Sequence, residues 1–339
     1  MAATYTVGDG KDYATIQLAI DAIPGNLSGQ GKQHVQVYAK AAGYAETLDV
    51  STGFSNASAT NYIDIEAMVP HGGMRDSGIV IDCSGANRFQ VKLMSYSRFH
   101  GFGLKGTLTY AGTTYGIISN QSSYVRIYDN MVYDLTHATQ TISCISGFVS
   151  GVGEQIFNNQ IFNITPGINL AKTAYGIYVN NSATAGNTHE IHNNVVILNA
   201  AGSYNNRAFQ GELSEYVNLS NNYAHGGYAG YLFHRFVSTN CNINYNISAD
   251  GTADDFGGTG NLVNKAAATC FKCVVAGKEN LDLRYTGACY REGQDNSALF
   301  TTDARGSLFK LWETGALVKR YQKTVGTSDQ VSINGVKYV

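Results

Sequence analysis

Charge is scarce in this chain. Asp, Glu, Lys and Arg make up 14% of the 339 residues, against roughly a quarter in ordinary soluble proteins. The formal net charge of −2 excludes a phosphate-binding face as the main purpose of the molecule, because nucleic-acid grooves need a basic surface. Proline is nearly absent, with 3 residues. No apolar run reaches about 18 residues, the length needed to read a membrane span. Six cysteines are too thin for a disulfide scaffold and read as small buried apolar residues. No basic or apolar leader precedes the first motif, so no secretory signal is expected.

What is abundant is glycine (38) and tyrosine (23), so the exterior must be largely neutral, polar and aromatic. Within it lies a repeat. Arg126-Ile127-Tyr128-Asp129-Asn130, Gln155-Ile156-Phe157-Asn158-Asn159, Glu190-Ile191-His192-Asn193-Asn194, Asn218-Leu219-Ser220-Asn221-Asn222 and Asn242-Ile243-Asn244-Tyr245-Asn246 share one shape. Each places an aliphatic residue three positions before an asparagine, and the closing asparagines are 29, 35, 28 and 24 residues apart. Periods of this length mark solenoids, propellers or arrays.

Counting back fourteen residues from each closing asparagine (eighteen in the longest unit) gives Gly116, Ile145, Gly176, Ala208 and Leu232. Each unit then reads as strand, turn, strand, asparagine corner, strand. Three inward columns are expected: Ile127, Ile156, Ile191, Leu219 and Ile243; Ile117, Ser146, Ile177, Phe209 and Phe233; and Val132, Ile161, Val196 and Ala224. The asparagines are expected to take left-handed backbone angles at the corner and to bond along the coil axis as stacked amides do.

This pattern resembles the right-handed parallel β-helix of the pectate-lyase-like superfamily. The opening run Tyr5-Thr6-Val7-Gly8-Asp9-Gly10-Lys11-Asp12-Tyr13-Ala14-Thr15-Ile16-Gln17-Leu18-Ala19-Ile20 is similar to the start of many such chains. Asn280-Leu281-Asp282-Leu283-Arg284, Thr302-Asp303-Ala304-Arg305-Gly306 and Trp312-Glu313-Thr314-Gly315-Ala316 resemble their closing segment, which departs after Ala316 at Leu317-Val318. The resemblance implies an all-β, single-stranded right-handed parallel β-helix. Residues 1–33 are expected to form an N-terminal cap with a short helix, 34–292 the β-helix, and 293–339 a C-terminal cap with an extended tail. The helix is expected over 12–23, with Asp12 as its cap. Strands are expected at 34–39, 46–50, 62–67, 78–82, 89–93 and 98–104, and two last coils at 262–275 and 280–291.

Chemistry is less legible than fold. The register puts Tyr178, Gln210 and His234 in one outward column and Asn180 and Glu212 in the next, with Arg207 and Arg235 nearby. Tyr178, Asn180 and Gln210 are the candidate ligand-binding residues; Glu212, Arg207, Arg235 and His234 are the candidate catalytic ones. Glycoside hydrolysis needs two carboxyl groups facing across the bond, and Glu212 has no carboxylate neighbour in its column, which should run from Asn180 to Phe236. A lyase would call for calcium, but Asp250, Asp254 and Asp255 read as a solvated turn. His189 and His192 point to opposite faces of one strand. Cys270-Phe271-Lys272-Cys273 lacks further zinc ligands, so no metal site and no cofactor are expected. The expected role is a structural surface component of a bacteriophage particle, a capsid-decoration or fibre/spike protein in the virion, which similarity to phage β-helices extends to a homotrimer in contact with other virion proteins. The alternatives are a polysaccharide lyase or glycoside-hydrolase-type depolymerase, or a glycan-binding module, secreted or at a cell surface and contacting a surface polysaccharide. Neither nucleic acid nor membrane is expected as a partner.

Overall fold

The structure is a computed structural model that describes residues 1–85, 87–148, 151–167, 172–180, 186–198, 206–214, 216–226, 232–236, 240–273, 280–283, 331–333 and 336–338. Three parallel sheets run along one axis and form a solenoid of about seven turns. The first sheet stacks Ala3–Val7, Lys32–Val37, Tyr62–Ala67, Arg98–His100, Arg126–Tyr128, Gln155–Phe157, His189–His192, Val217–Ser220 and Asn242–Asn244. The second stacks Val80–Asp82, Gly103–Leu108, Met131–His137, Gln160–Phe162, Val195–Ile197, Tyr223–His225 and Ile247–Ser248. The third stacks Leu48–Asp49, Phe89–Lys92, Thr114–Asn120, Ile142–Phe148, Ala174–Asn180, Arg207–Ser214 and Phe233–Phe236. One coil visits the first, second and third sheets in that order.

The column Ile127, Ile156, Ile191, Leu219 and Ile243 is in register on adjacent strands and buried. So is Val132, Ile161, Val196 and Ala224. In the third sheet the inward column holds Ile145, not Ser146: Ile145 stands between Ile117 and Ile177, followed by Phe209 and Phe233. The chain takes one more residue from Ile145 to Ile156 than from Ile117 to Ile127, and a one-residue slip exchanges the faces of a strand.

The five asparagines form one buried line. Asn130 Nδ2 donates to Asn159 Oδ1 at 3.2 Å, and the same bond recurs from Asn159 to Asn194, Asn194 to Asn222 and Asn222 to Asn246, each at 3.0 Å. Each backbone N–H also donates to the next side-chain oxygen, and Asn246 N–H passes the pattern on to Asn261. The left-handed corner lies one residue earlier than expected. Asp129, Asn158, Asn193, Asn221 and Tyr245 have φ between 55° and 57°, and Gly101 takes that corner at φ 86°. The ladder asparagine therefore does not make the bend; it satisfies the buried backbone groups that the bend leaves unpaired.

The helix is shorter than expected, Ile16–Asp21, and Thr15 caps it by accepting from Leu18 N–H. Asp12 instead accepts from the Thr6 hydroxyl. Glu46 accepts from the Ile16 and Gln17 N–H groups at 3.0 and 2.9 Å, a carboxylate on the unsatisfied donors of a helix start. Ile16, Ala19 and Ile20 are buried, and the helix lies against Ala3–Val7, Lys32–Val37 and Leu48–Asp49.

Leu262 still bridges Ile247 in parallel, and beyond it the parallel stacking stops among the described residues. Ala267–Cys270 is a helical turn, and Phe271–Cys273 pairs antiparallel with Asn280–Leu283, so the coils expected at 262–275 and 280–291 are not made by the described residues. This segment instead covers the outer face of the second sheet. There Met131, Tyr133, Phe162, Val195 and Tyr223 form a second apolar core with Cys270, Phe271 and Leu281. Cys83 and Cys144 are free and buried as expected, whereas Cys270 is disulfide-bonded. Val331–Ile333 pairs antiparallel with Val336–Tyr338, a hairpin within the stretch expected to be an extended tail. The rest of the expected C-terminal cap lies outside the described residues.

Candidate functional site

The outer face of the third sheet gathers the candidates. Phe209 and Phe233 stack inward at 4.9 Å, and strand alternation sends their neighbours outward. Tyr178, Gln210 and His234 then stand opposite one another on three successive coils, and Asn180 is the backbone partner of Glu212; the Asn180 side chain lies outside the described residues. Beyond Gln210 the pairing slips, so that Ser214 meets Phe236. Glu212 therefore has Arg235 for a neighbour rather than Phe236. Arg235 has φ 57°, and this turn of the backbone breaks the alternation that would bury its side chain. Its guanidinium is half exposed and donates to Glu212 Oε1 at 3.1 Å.

Two linked networks result. Tyr178 Oη donates to Glu212 Oε2 at 3.2 Å, and burial followed by the Glu212 charge raises the Tyr178 pKa. Gln210 is buried; its Oε1 accepts from Arg207 Nη1 at 2.8 Å and meets His234 Nδ1 at 2.9 Å, while its Nε2 donates to the Gly211 carbonyl. An amide oxygen only accepts, so His234 carries its proton on Nδ1 and Nε2 is left as the acceptor. Burial first, and then the Arg207 and Arg235 charges, push the His234 pKa down to about 4. The imidazole is therefore neutral at pH 7. Arg207 also lies over the Tyr175 ring at 5.8 Å, and Tyr175 and Tyr178 tilt together at 5.3 Å. The patch offers ring faces, a fixed carboxylate, a neutral base and two guanidiniums. Among the described residues it contains one carboxylate, Glu212.

No family model, no curated protein and no solved structure matches this chain.

The identity of the molecule thus rests on its own geometry, and that geometry holds one group that the repeat pattern does not disclose. Glu154 is buried at the corner leading from Ile142–Phe148 to Gln155–Phe157. It accepts from Ser119 Oγ, and His189 Nδ1 lies 3.5 Å from its Oε2. Burial pushes Glu154 up to about 8 and His189 down to about 4, so acid and imidazole are both neutral at pH 7. Gly147 makes the room: a Cβ there would fall 2.0 Å from Glu154 Oε2. The sequence signal was a glutamate between Gly153 and the strand start at Gln155, which strand periodicity alone reads as a turn.

Asp250 Oδ1 accepts from Thr252 N–H and Oγ, which makes it part of a turn. No group of three or more metal-ligating side chains occurs among the described residues, and no helix among them is long and apolar enough to cross a membrane.

Proposed function

We propose that the chain is a structural surface component of a bacteriophage particle, a capsid-decoration or fibre/spike protein. It is a right-handed β-helix of the pectate-lyase-like kind, closed at one end by the helix Ile16–Asp21. It assembles as a homotrimer against other virion proteins. The supporting observation is the way its flanks are built. Charged groups pair from coil to coil rather than reaching outward: Lys32 and His100 with Asp64, His34 with Glu66, Lys105 with Asp76, Arg75 with Asp134, Arg235 with Glu212. Rings stack along the axis, His100 on Tyr128 at 4.3 Å and Tyr128 on Phe157 at 4.8 Å. Such a flank is stiff, weakly charged and aromatic, the character of a surface that meets protein. Mass spectrometry of purified particles carrying this gene tests the reading. Peptides at stoichiometric, capsid-like abundance are expected; their absence from particles would refute it.

One observation favours a second reading. The Tyr178–Glu212–Arg235 and Arg207–Gln210–His234 networks hold ring faces and hydrogen-bonding groups together, as a glycan-binding module or a polysaccharide lyase or hydrolase needs. Incubation with capsular and pectin-type polymers, with and without calcium, separates the two. Cleavage that Glu212→Gln or a change at Arg207, Arg235 or His234 abolishes would establish an enzyme; silence across the panel leaves the structural role.

A further inference from the structure

We infer that residues 68–78 form a pH-controlled strap: an imidazole latch at His71 holds it on the outer face of the second sheet near neutral pH, and a second proton on that ring releases it. The strap is an insertion at the corner from the first sheet to the second. The chain takes fourteen residues from Glu66 to Val80. The next two coils take three, from His100 to Gly103 and from Tyr128 to Met131, and these residues stand opposite one another on adjacent strands. Three residues therefore suffice to turn the corner, and closing the coil does not call for the eleven more.

The tip of the strap is tied to the sheet by charge. Arg75 Nη2 donates to Asp134 Oδ2, and the guanidinium lies over the Tyr133 ring at 5.7 Å. Asp76 Oδ1 accepts from Lys105 Nζ at 2.8 Å and from Tyr133 Oη at 3.0 Å. Tyr133 beneath them is fully buried, whereas Val69 and Met74 on the strap are exposed. The Asp76 side chain is half exposed, and ion pairs this open to water hold little by themselves.

The base of the strap carries the latch. His71 is buried; its Nε2 lies 2.8 Å from the Asp129 carbonyl, and its Nδ1 lies 2.9 Å from the Gly73 nitrogen. A carbonyl only accepts and a backbone N–H only donates. The ring therefore carries its hydrogen on Nε2 and accepts from Gly73 at Nδ1. Gly72 and Gly73, with φ 59° and 77°, turn the chain back so that this N–H meets the ring. The Asp129 carbonyl also accepts from the Gly101 N–H at 3.2 Å. One imidazole thus fastens the strap to the point where the left-handed corners of the next two coils meet.

A second proton would set Nδ1–H against the Gly73 N–H, two donors face to face at a buried site. The charged groups on the strap and on the sheet beneath it are Arg75, Asp76, Lys105 and Asp134, and they are engaged with one another. Asp129 reaches the ring through its carbonyl, and among the described residues no carboxylate pairs with His71 to offset the charge. Burial accordingly pushes the His71 pKa from 6.5 down to about 4. The closed strap excludes a proton that the open strap takes up, so closure is strongest above pH 6.5 and weakens as pH falls. The opening constant rises about tenfold per pH unit below 6.5, the slope of one proton. Opening removes Arg75 and Asp76 from Tyr133. The device is independent of the role proposed for the whole chain.

Residue-resolved amide hydrogen exchange on the intact protein between pH 7 and 5 tests this, each rate being divided by the intrinsic rate at the same pH. That interval lies above the ordinary range of aspartate, and Lys105 beside it holds the Asp76 carboxyl lower still. The Gly73 amide is expected to be protected at pH 7 and to lose about thirtyfold of its protection from pH 6.5 to 5, while Asn159 in the coils stays more strongly protected. His71→Gln offers a donor and an acceptor that do not titrate. Whether the amide holds the strap shut or leaves it open at every pH, the dependence at Gly73 is expected to vanish. An unprotected Gly73 at pH 7, a protection that does not change with pH, parallel loss at Gly73 and Asn159, or the same slope in His71→Gln would each overturn the proposal. Should the variant fail to fold, the imidazole nitrogen shifts of the unaltered protein decide: the Nε2–H tautomer is expected at pH 7, and the Nδ1–H tautomer would refute the latch.

Discussion

Glu154 shows at the scale of one residue how burial couples this fold to pH. Its ordinary pKa is 4.5 and its pKa in the fold is about 8. Between those values the folded chain keeps a proton that the unfolded chain has released, so stability falls as pH rises. His189, His71 and His234, each pushed from 6.5 to about 4, act the opposite way below 6.5, where the unfolded chain binds the extra protons. The Glu154 effect should therefore emerge between pH 6.5 and 8. Urea denaturation should show stability declining by about 2 kcal/mol across that interval, the slope of one proton. Glu154→Gln, which keeps shape and removes the titration, should flatten it. An unchanged slope in the variant would mean that Glu154 is not the group responsible. Gly147→Ala should destabilise at every pH, because its methyl group would meet the Glu154 carboxyl.

The elements show which parts of the structure were legible in the sequence. Inward columns were read correctly where they sit at a fixed distance from the ladder asparagine, as from Ile127 to Ile243 three residues before it and from Val132 to Ala224 two residues after it. Reading failed by one residue at Ser146, where an extra residue in a turn moved Ile145 into the column. The asparagine line was legible because Asn130 and Asn246 keep the amide while the residue before each varies between Asp129 and Tyr245. In the coils with Asn158-Asn159, Asn193-Asn194 and Asn221-Asn222 the bend and the ladder carry the same residue type, and sequence could not tell them apart. The outward column of Tyr178, Gln210 and His234 was placed correctly, but the Glu212–Arg235 contact depends on a register slip and a positive φ that alternation does not encode. The stretches 262–275 and 280–291 were read as further coils. The clue against it was on the second sheet, where Met131 and Val132, and again Val195 and Val196, are all apolar. A sheet with two apolar faces needs a cover on both, and Phe271 and Leu281 supply it. Phe271→Ala should cost about 3–5 kcal/mol. It should also expose 262–283 to trypsin while the coils before it resist; proteolysis that begins within the coils would show that this segment does not act as a separate cover.

At the scale of the whole molecule the solenoid behaves as a row of neighbours, each coil stabilised by the two beside it. The proposed trimer is tested by light scattering on the eluting protein. Three times the chain mass of 36.4 kDa is expected, and a monomer at micromolar concentration would remove trimerisation from the account. The more basic claim is that buried amides join the coils along one line. Asn194 sits in the middle of it: its Oδ1 accepts from the Asn159 N–H and Nδ2, and its Nδ2 donates to Ile156 O and Asn222 Oδ1. Asn194→Ala should cost about 2–4 kcal/mol, several buried hydrogen bonds lost with their partners left unsatisfied. Residue-resolved amide hydrogen exchange on that variant tests the claim most directly. The account predicts strong protection of the Asn130, Asn159, Asn194, Asn222 and Asn246 amides in the unaltered protein. In the variant it predicts selective loss at Asn159, with Asn222, whose N–H bonds to Asn246, still protected. Rapid exchange at Asn159 before the substitution, or no change after it, would contradict the line of amides on which the whole description rests.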